Sequence, residues 1–387
     1  MTVLPVGKLD SDLLKQIVFD KIKYRDKDVK VRPGIGEDCA VMDFGSFDCV
    51  MSTDPITSAV SDIGRLAIHI TCNDIASNGV QPLGIMLAVM LPVGTTDQDV
   101  EHIMDQAART AEELQVEIIG GHTEITPAVK QPVIVSTAIG KTPSGTSQSG
   151  NDMQPGDTIM MTKAAGLEGS GIIAMDYADR LRKEKDDDGQ PLFSEAEIAT
   201  AQSFLDRVSV VREGVTAGRV GTHGMHDITE GGILGAVWEM CQISGTGAEL
   251  WEEKIPMEPE TAKICRLFDI DPLRLISSGS MVIIVPKGKQ EEMEQAMAEA
   301  GVPAAVIGVI REAKEGVRMI RRVKTCGAEG QGRISVAVDP PYADEIYKVA
   351  GREPVSNKTA GGEPACKMTV GGEPACKETA GGEPAGE

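Results

Sequence analysis

The sequence has few aromatic residues. Trp, Tyr and Phe together make up 3% of its 387 residues, while hydrophobic residues as a class reach 41%. The cores must therefore be built from Ile, Val, Leu, Ala and Met. A chain of this length has room for two domains. Its 43 glycines lie largely in short loops between apolar runs, a pattern that favours an α/β protein with many tight turns.

Positive charge is also scarce. Lys and Arg number 38 against 59 Asp and Glu, which gives a net charge of −21. Non-specific binding of nucleic acid is therefore not expected, because a phosphate backbone requires a basic surface. A nucleotide remains compatible with an acidic protein when divalent cations bridge its phosphates to carboxylates.

Long hydrophobic runs and metal-type cysteine spacings are missing as well. No apolar run approaches the roughly 20 residues that span a bilayer, and the N-terminal MTVLPVGKLD has no signal-peptide core. The eight cysteines form no CxxC pair, which fits reduced thiols and a cytoplasmic protein that binds no membrane. Neither GxxxxGK[ST] nor GxGxxG after a strand occurs, so a nucleotide site here would be of another design.

The stretch at residues 61–83, SDIGRLAIHITCNDIASNGVQPL, organises the first half. Read as a helix, it places Ile63 and Ile70 on one side, with Asp74 in the middle of that side and Asn73 beside it. Burying a carboxylate on an apolar face is costly unless a cation or several hydrogen-bond donors compensate its charge. The alternative is that the apolar stripe ends at Ile70 and that Asp74 lies in water.

The remaining pattern predicts two domains and a tail. In residues 1–150, strands and helices alternate with short joints, as in a βαβ unit. Residues 151–350 also alternate and predict a second α/β or α+β domain. Residues 351–387 repeat GGEPA with a ten-residue period and cannot form a core, which predicts a flexible tail. Further predicted helices cover 9–24, 96–116, 171–182, 194–217 and 289–300; predicted strands cover 48–53, 83–91, 116–119, 132–139, 157–162, 281–285 and 304–310.

Acidic residues recur at strand ends and in glycine turns. The first half has GIGEDCA at Asp38, STDPIT at Asp54, CNDIASNG at Asp74, and GGHTEIT at His122 and Glu124; HDITEGG lies in the second half. Ligands bind at strand ends in α/β proteins, and glycines allow backbone N–H groups to approach a phosphate. Oxygen ligands select hard cations such as Mg²⁺. Together these features indicate phosphoryl chemistry.

Each cluster also has a purely structural alternative. Asp38 and Asp54 could be turn residues, and GGHTE could be a tight turn that ends a short strand. His226 and Asp227 of HDITEGG could cap a helix. The functional interpretation therefore requires that folding bring these distant clusters together.

In their order along the chain, these motifs resemble the aminoimidazole-ribonucleotide (AIR) synthase superfamily. The strings that carry the resemblance are GIGEDCAVM, STDPIT, DIGRLAIHITCNDIASNGVQPLGIML, IIGGHTE and HDITEGGILGAVWEM. TKAAGLEGSGIIA and LISSGSMVIIV look closest to the HypE-like branch. The resemblance implies a PurM-like fold of the α/β plus α+β class: an N-terminal ATP-binding domain whose sheet pairs with a second copy in a homodimer, and a C-terminal α+β domain.

The resemblance also implies the chemistry and the residues. With Mg²⁺, the γ-phosphate of ATP would pass to an oxygen of a carbamoyl, amide or phosphate group on a small molecule or a protein. The implied metal ligands are Asp38, Asp54, Asp74, Glu124 and Asp227; the implied nucleotide-binding residues are Gly36, Asp54, Asn73, Gly120, Gly121, His122, Thr123 and Thr229; the implied catalytic residues are His226, Asp227 and Glu230.

Two departures from the family pattern bear on the reaction. His122 stands where the family usually has an acidic residue, which weakens a Mg²⁺ site unless Glu124 substitutes and favours Mn²⁺ as an alternative. The HypE type ends in a cysteine that accepts the carbamoyl group, whereas this sequence ends in AGE, with Cys366 and Cys376 inside the tail. We predict an ATP-dependent enzyme of the hydrogenase-maturation type. The alternatives are a small-molecule kinase resembling thiamine-monophosphate kinase and a non-catalytic nucleotide-binding scaffold.

Overall fold

The structure is a computed structural model that describes residues 4, 9, 11–34, 37–57, 62–148, 152–186, 188–324 and 331–350. The predicted flexible tail, 351–387, lies outside these ranges. The helices and strands of the first half are α1 (Ser11–Ile17), β1 (Val29–Val31), β2 (Ala40–Asp43), β3 (Phe47–Ile56), α2 (Ile63–Ser77), β4 (Pro82–Leu91), α3 (Asp97–Leu114), β5 (Glu117–Ile125) and β6 (Val133–Pro143).

The second half continues the alternation of strands and helices. Its elements are β7 (Thr158–Thr162), α4 (Leu167–Asp176), α5 (Ala178–Lys183), α6 (Glu195–Gln202), α7 (Val211–Val220), β8 (Gly224–Asp227), α8 (Gly232–Ser244), β9 (Gly247–Trp251), α9 (Pro259–Phe268), β10 (Met281–Val285), α10 (Gln290–Glu299), β11 (Ala304–Arg311), β12 (Val317–Lys324), β13 (Gln331–Ala337) and α11 (Ile346–Ala350).

The first sheet has the strand order β1-β2-β3-β6-β4-β5. Strand β6 is antiparallel to both β3 and β4, so the predicted βαβ unit of β3, α2 and β4 is present with β6 between its two strands. β4 and β5 are parallel neighbours joined by α3. The predicted capping box starts α3, because Thr96 Oγ1 accepts from Asp99 N and an Asp99 oxygen accepts from Thr96 N.

The second sheet has the strand order β13-β12-β9-β11-β7-β10-β8. Strand β10, MVIIV, lies between β7 and the edge strand β8. It is buried at every position, as a continuous apolar run predicts. β8 lies at the edge and contacts α2, which also packs against α7. The two halves therefore meet along α2, the stretch around which the sequence pattern is organised. No helix in the described ranges is both long enough and apolar enough to cross a membrane.

The GGHTE sequence is part of a strand, and the predicted turn is wrong. β5 passes through it beside β4, with a register shift at Ile119. Gly121 has φ +148°, and a Cβ added there would lie 1.9 Å from the carbonyl oxygen of Leu87. Glycine therefore lets β5 stay close to β4 where any side chain would clash.

The predicted loop AAGLEGSG and the predicted helix 194–217 are also wrong. α4 already begins at Leu167, and its Gly169 packs so closely on Leu275 that a Cβ would lie 2.4 Å from Leu275 Cγ. These glycines serve close packing. The second segment breaks between α6 and α7, where Lys163 Nζ donates to the carbonyl oxygen of Ser209. The predicted helix 9–24 forms α1 and a 3₁₀ helix at Phe19–Lys21. The elements that were not predicted are β1, β2, β8, β9, α9, β12, β13 and α11.

Candidate active site

A cavity of about 810 Å³ lies between the two halves, a volume typical of small-molecule sites. Its wall combines acidic and hydroxyl side chains with apolar ones such as Leu66 and Ile70 of α2. From the first half the acidic lining residues include Glu37, Asp38, Asp54 and Asp74; from the second half they are Glu168, Asp227 and Glu230, together with Thr229 and Ser278.

Three predicted carboxylates of the first half reach this cavity from separate elements. Asp38 precedes β2, Asp54 lies near the end of β3, and Asp74 lies on α2. Asp74 is 7% exposed, and Ser52 Oγ donates to its Oδ2 over 2.6 Å. The backbone oxygen of Asp74 accepts from Cys39 Sγ. The carboxylate that the sequence placed on an apolar helix face is therefore buried, and the solvent-exposed alternative is wrong.

The end of β8 brings His226 and Asp227 to the same place. Asp38, His226 and Asp227 each offer a ligand atom within 4.8 Å of the others. His226 Nε2 lies 3.9 Å from Asp38 Oδ1 and 3.9 Å from Glu239 Oε2. Its Nδ1 lies 2.5 Å from the backbone oxygen of Asp227. His226 therefore stands among carboxylates from both halves of the chain.

The carboxylates oppose one another's ionisation. Burial raises the pKa of Asp74 well above its ordinary value, and the negative charges of Asp227 and Asp38 raise it further. Asp54 adds its charge and a side-chain hydrogen bond to the same effect on this pKa. A cation bound among these oxygens would remove the repulsion, because hard divalent cations prefer carboxylate ligands. This set of oxygen donors thus fits Mg²⁺ or Mn²⁺.

His226 already supplies part of the missing positive charge. Burial lowers the pKa of His226, but Asp38, Asp227 and Glu239 overcome this effect and raise the pKa to about 9. The protonated imidazole is a counter-charge to the cluster. Since a protonated imidazole cannot ligate a metal, the carboxylates are the groups available to a cation.

The second half contributes one acidic residue that the sequence interpretation missed. Glu168 in the first turn of α4 is 6% exposed and lines the cavity. Its Oε2 accepts from the backbone N–H of Ser278 over 3.2 Å, and burial raises its pKa. The sequence could have indicated Glu168 in the same way as Asp74, because both carboxylates stand among small and apolar residues. The predicted Thr229 and Glu230 also line the cavity, and Glu230 accepts from the hydroxyl of Tyr347.

Asn73 does not join these residues. Its Nδ2 donates to the carbonyl oxygen of Val208, and its Oδ1 accepts from the N–H of Val210, each over 2.8 Å. Asn73 is fully buried and ties α2 to the start of α7. Its side chain is therefore occupied by a structural tether and is turned away from the acidic cavity.

The predicted GGHTE residues lie apart from the cavity within one chain. β5 is the exposed edge strand of the first sheet. His122 Nε2 and Glu124 Oε2 lie 3.4 Å apart, with side chains 69% and 47% exposed. Gly36 lies outside the described residues. The roles assigned to Gly36, Gly120, Gly121, His122, Thr123 and Glu124 therefore stay predictions.

Comparison with known proteins identifies the family. Models of the AIR synthase related protein match residues 36–142 as its N-terminal domain and 154–321 as its C-terminal domain. A carbamoyl dehydratase HypE of Bradyrhizobium diazoefficiens is 31% identical over 257 residues, which cover 65% of this chain and 70% of that protein. A putative hydrogenase expression/formation protein of Methanocaldococcus jannaschii is 29% identical over 326 residues, 80% of this chain and 90% of that protein. The chain belongs to the AIR synthase-related family, in its HypE-like group.

Solved structures give the same fold. The structure of a HypE–HypF complex superimposes with a TM-score of 0.66 at 25% identity, covering 85% of this chain and 99% of that one. A hydrogenase maturation protein HypE in complex with ATP gives a TM-score of 0.61 at 21% identity, with 88% and 98% covered. The predicted PurM-like architecture, α/β plus α+β, is confirmed.

Proposed function

We propose that this protein is an ATP-dependent enzyme that activates a carbamoyl or similar amide oxygen by phosphoryl transfer. The observation that carries the proposal is the meeting of Asp38, Asp54 and Asp74 from one half with Asp227 from the other around one cavity. A triphosphate and its cations are the kind of ligand that makes such a group of carboxylates favourable.

Mg²⁺ would be held by these four aspartates, with Mn²⁺ as the alternative, and would neutralise charge on the phosphates when bound. Ser52 fixes the Asp74 carboxylate through its 2.6 Å hydrogen bond. His226 holds Asp38 and Asp227 near each other from the β8 edge. These side chains thus prepare an oxygen-rich surface at the junction of the halves.

The acceptor would enter from the side of the second half. Thr229 and Glu230 follow β8 and line the cavity, and Glu230 is oriented by the Tyr347 hydroxyl over 3.0 Å. In the proposed step the acceptor oxygen forms a bond to the γ-phosphorus while the bond from that phosphorus to the β,γ-bridging oxygen breaks and ADP leaves. Glu230 would orient the acceptor by accepting a hydrogen bond from its N–H group.

The names of the relatives support a carbamoyl acceptor. The Bradyrhizobium relative is named a carbamoyl dehydratase, and one structural neighbour was solved in a complex with HypF. We therefore extend to this chain a carbamoyl-type substrate, small or protein-borne. We also propose a cytoplasmic homodimer that forms through the exposed edge strand β5, which would bring the GGHTE residues to an interface.

ADP release tests the proposal and separates its alternatives. The purified protein is mixed with ATP and Mg²⁺, with and without S-carbamoylcysteine as a carbamoyl probe. Stimulation by the probe is the expected result. Stimulation by thiamine monophosphate instead would indicate a small-molecule kinase, and calorimetric ATP binding without any ADP formation would indicate a scaffold.

Substitution of Asp74 links the activity to the cavity. Asp74→Asn removes a buried charge, so we expect no ADP release and an unchanged or raised melting temperature. Asp105→Asn, on the exposed face of α3, is the matched control and should keep full activity. A strongly lowered melting temperature in Asp74→Asn would contradict the metal-binding role and favour a structural one.

A further inference from the structure

A second cavity, of about 480 Å³, lies on the other flank of α2. It shares no lining residue with the acidic cavity. His69 of α2, Gln81, and Glu113 and Gln115 at the end of α3 form one wall. The opposite wall comes from the second half and includes Lys163, Asp206, Arg207, Arg212, Thr216 and Arg219.

The α7 wall of this cavity is cationic. Arg212, Thr216 and Arg219 are spaced i, i+4 and i+7, so they share one face of the helix. Both arginines are exposed, and within the described parts of the chain neither guanidinium has a hydrogen-bond acceptor or a carboxylate partner. Two guanidinium groups therefore face the cavity without compensation.

The other charged lining residues mostly cancel one another. Lys163 Nζ bonds Glu213 Oε1 over 2.5 Å, Arg207 pairs with Glu258 over 2.7 Å, and Asp206 lies 3.5 Å from Arg65. Glu113 is the remaining lining carboxylate without a described partner. Two unpaired positive charges thus stand against one negative charge.

His69 is a second, independent indication that this cavity binds a polar ligand. It lines the cavity and is 5% exposed, and in the part of the chain that the structure describes its Nδ1 has no hydrogen-bond partner. Buried polar atoms are rarely left without a partner. Burial lowers the pKa of this imidazole to about 3, and the positive charges of Arg65 and Lys163 contribute to the shift. Positive charge on His69 is therefore disfavoured unless a bound anion compensates it.

We propose that this cavity binds a small phosphate ester with a hydroxyl-bearing body, at a site separate from the acidic cavity. The phosphate would lie between Arg212 and Arg219 beside Thr216, because a dianion matches two guanidinium groups better than a single carboxylate does. The hydroxyl groups would face Glu113 and the amides of Gln81 and Gln115. The inference does not depend on the proposed function.

Titration calorimetry with glycerol 3-phosphate, inorganic phosphate and glycerate tests this site. EDTA is present so that no divalent cation links phosphate to the acidic cavity. We expect both phosphate probes to bind and glycerate to bind at least about tenfold more weakly. The Arg212→Gln/Arg219→Gln double variant should lose at least about tenfold in affinity for glycerol 3-phosphate, whereas Arg109→Gln on the exposed face of α3 should bind like the wild type.

Three results would overturn the proposal. The first is wild-type protein that binds neither phosphate probe at about 10 mM. The second is a double variant that binds glycerol 3-phosphate as tightly as the wild type. The third is glycerate binding equal to that of glycerol 3-phosphate, which would make the ligand a carboxylate. ADP release should be unchanged in the double variant. A failure of phosphate-ester binding in this cavity can therefore be told apart from a failure of the proposed enzymatic activity.

Discussion

Asp38 Oδ1 and His226 Nε2 lie 3.9 Å apart although they come from different halves of the chain. Asp38 precedes β2 in the first half, and His226 lies on β8 at the edge of the second sheet. Between these elements, α2 contacts β8 and carries the buried Asp74. The acidic cavity therefore exists only while the two halves are packed together along α2.

The tether formed by Asn73 should be important for stability. Asn73→Ala leaves the carbonyl oxygen of Val208 and the N–H of Val210 buried without partners, so we expect a loss of about 2–4 kcal/mol in the free energy of unfolding. Urea denaturation measures this loss. Ser77→Ala on the same helix is the control, since Ser77 Oγ donates to the Asn73 carbonyl oxygen within that helix. Equal stability of the two variants would contradict the tether.

The buried His69 should make stability depend on pH. Burial lowers its pKa to about 3, and Arg65 and Lys163 contribute to the shift. Because the folded pKa lies below the unfolded value of about 6.5, the unfolded state takes up the proton first as pH falls. The contribution of the neutral imidazole is complete above pH 6.5 and is lost progressively toward pH 3.

Between pH 7 and pH 5, His69 should therefore cost the wild type about 2 kcal/mol of unfolding free energy. His69→Leu does not titrate at this position, so its unfolding free energy relative to the wild type should rise by that amount between pH 7 and pH 5. Denaturation in phosphate-free buffers at both pH values measures it. A difference that stays constant with pH would show that the pKa of His69 is the same in the folded and the unfolded protein, and would contradict this account.

Gly120 and Gly121 allow a direct test of the close packing of β5 on β4. Both have positive φ, +155° and +148°, but a Cβ at Gly120 meets nothing within 4 Å, whereas one at Gly121 lies 1.9 Å from Leu87 O. Both alanine variants carry the backbone strain, and Gly121→Ala adds a clash worth at least about 2 kcal/mol. Thermal unfolding should rank Gly121→Ala well below Gly120→Ala. If Gly120→Ala unfolded at the lower temperature, the close packing of β5 on β4 at Gly121 would be contradicted.

The sequence was informative where the pattern was local. The helical face around Asp74, the capping box at Thr96 and the apolar run of β10 follow from periodicity and spacing. It failed where long-range packing accompanies the conformation. The predicted helix 194–217 is broken in the segment that Lys163 contacts, and β5 continues through Gly121 where a turn was expected. Glu168 was missed because its glycine-rich surroundings indicated a loop. Asn73 was correctly placed beside Asp74, but only the fold shows that its amide is bonded to residues of the second half.

The most direct test of the central claim is a crystal structure with Mn²⁺ and a non-hydrolysable ATP analogue, in which anomalous scattering locates the metal. We predict Mn²⁺ at about 2.1 Å from carboxylate oxygens that include one of Asp38, Asp54 or Asp74 together with Asp227, with the triphosphate bound to the metal. A triphosphate bound elsewhere, or a metal that touches none of these four carboxylates, would contradict the account.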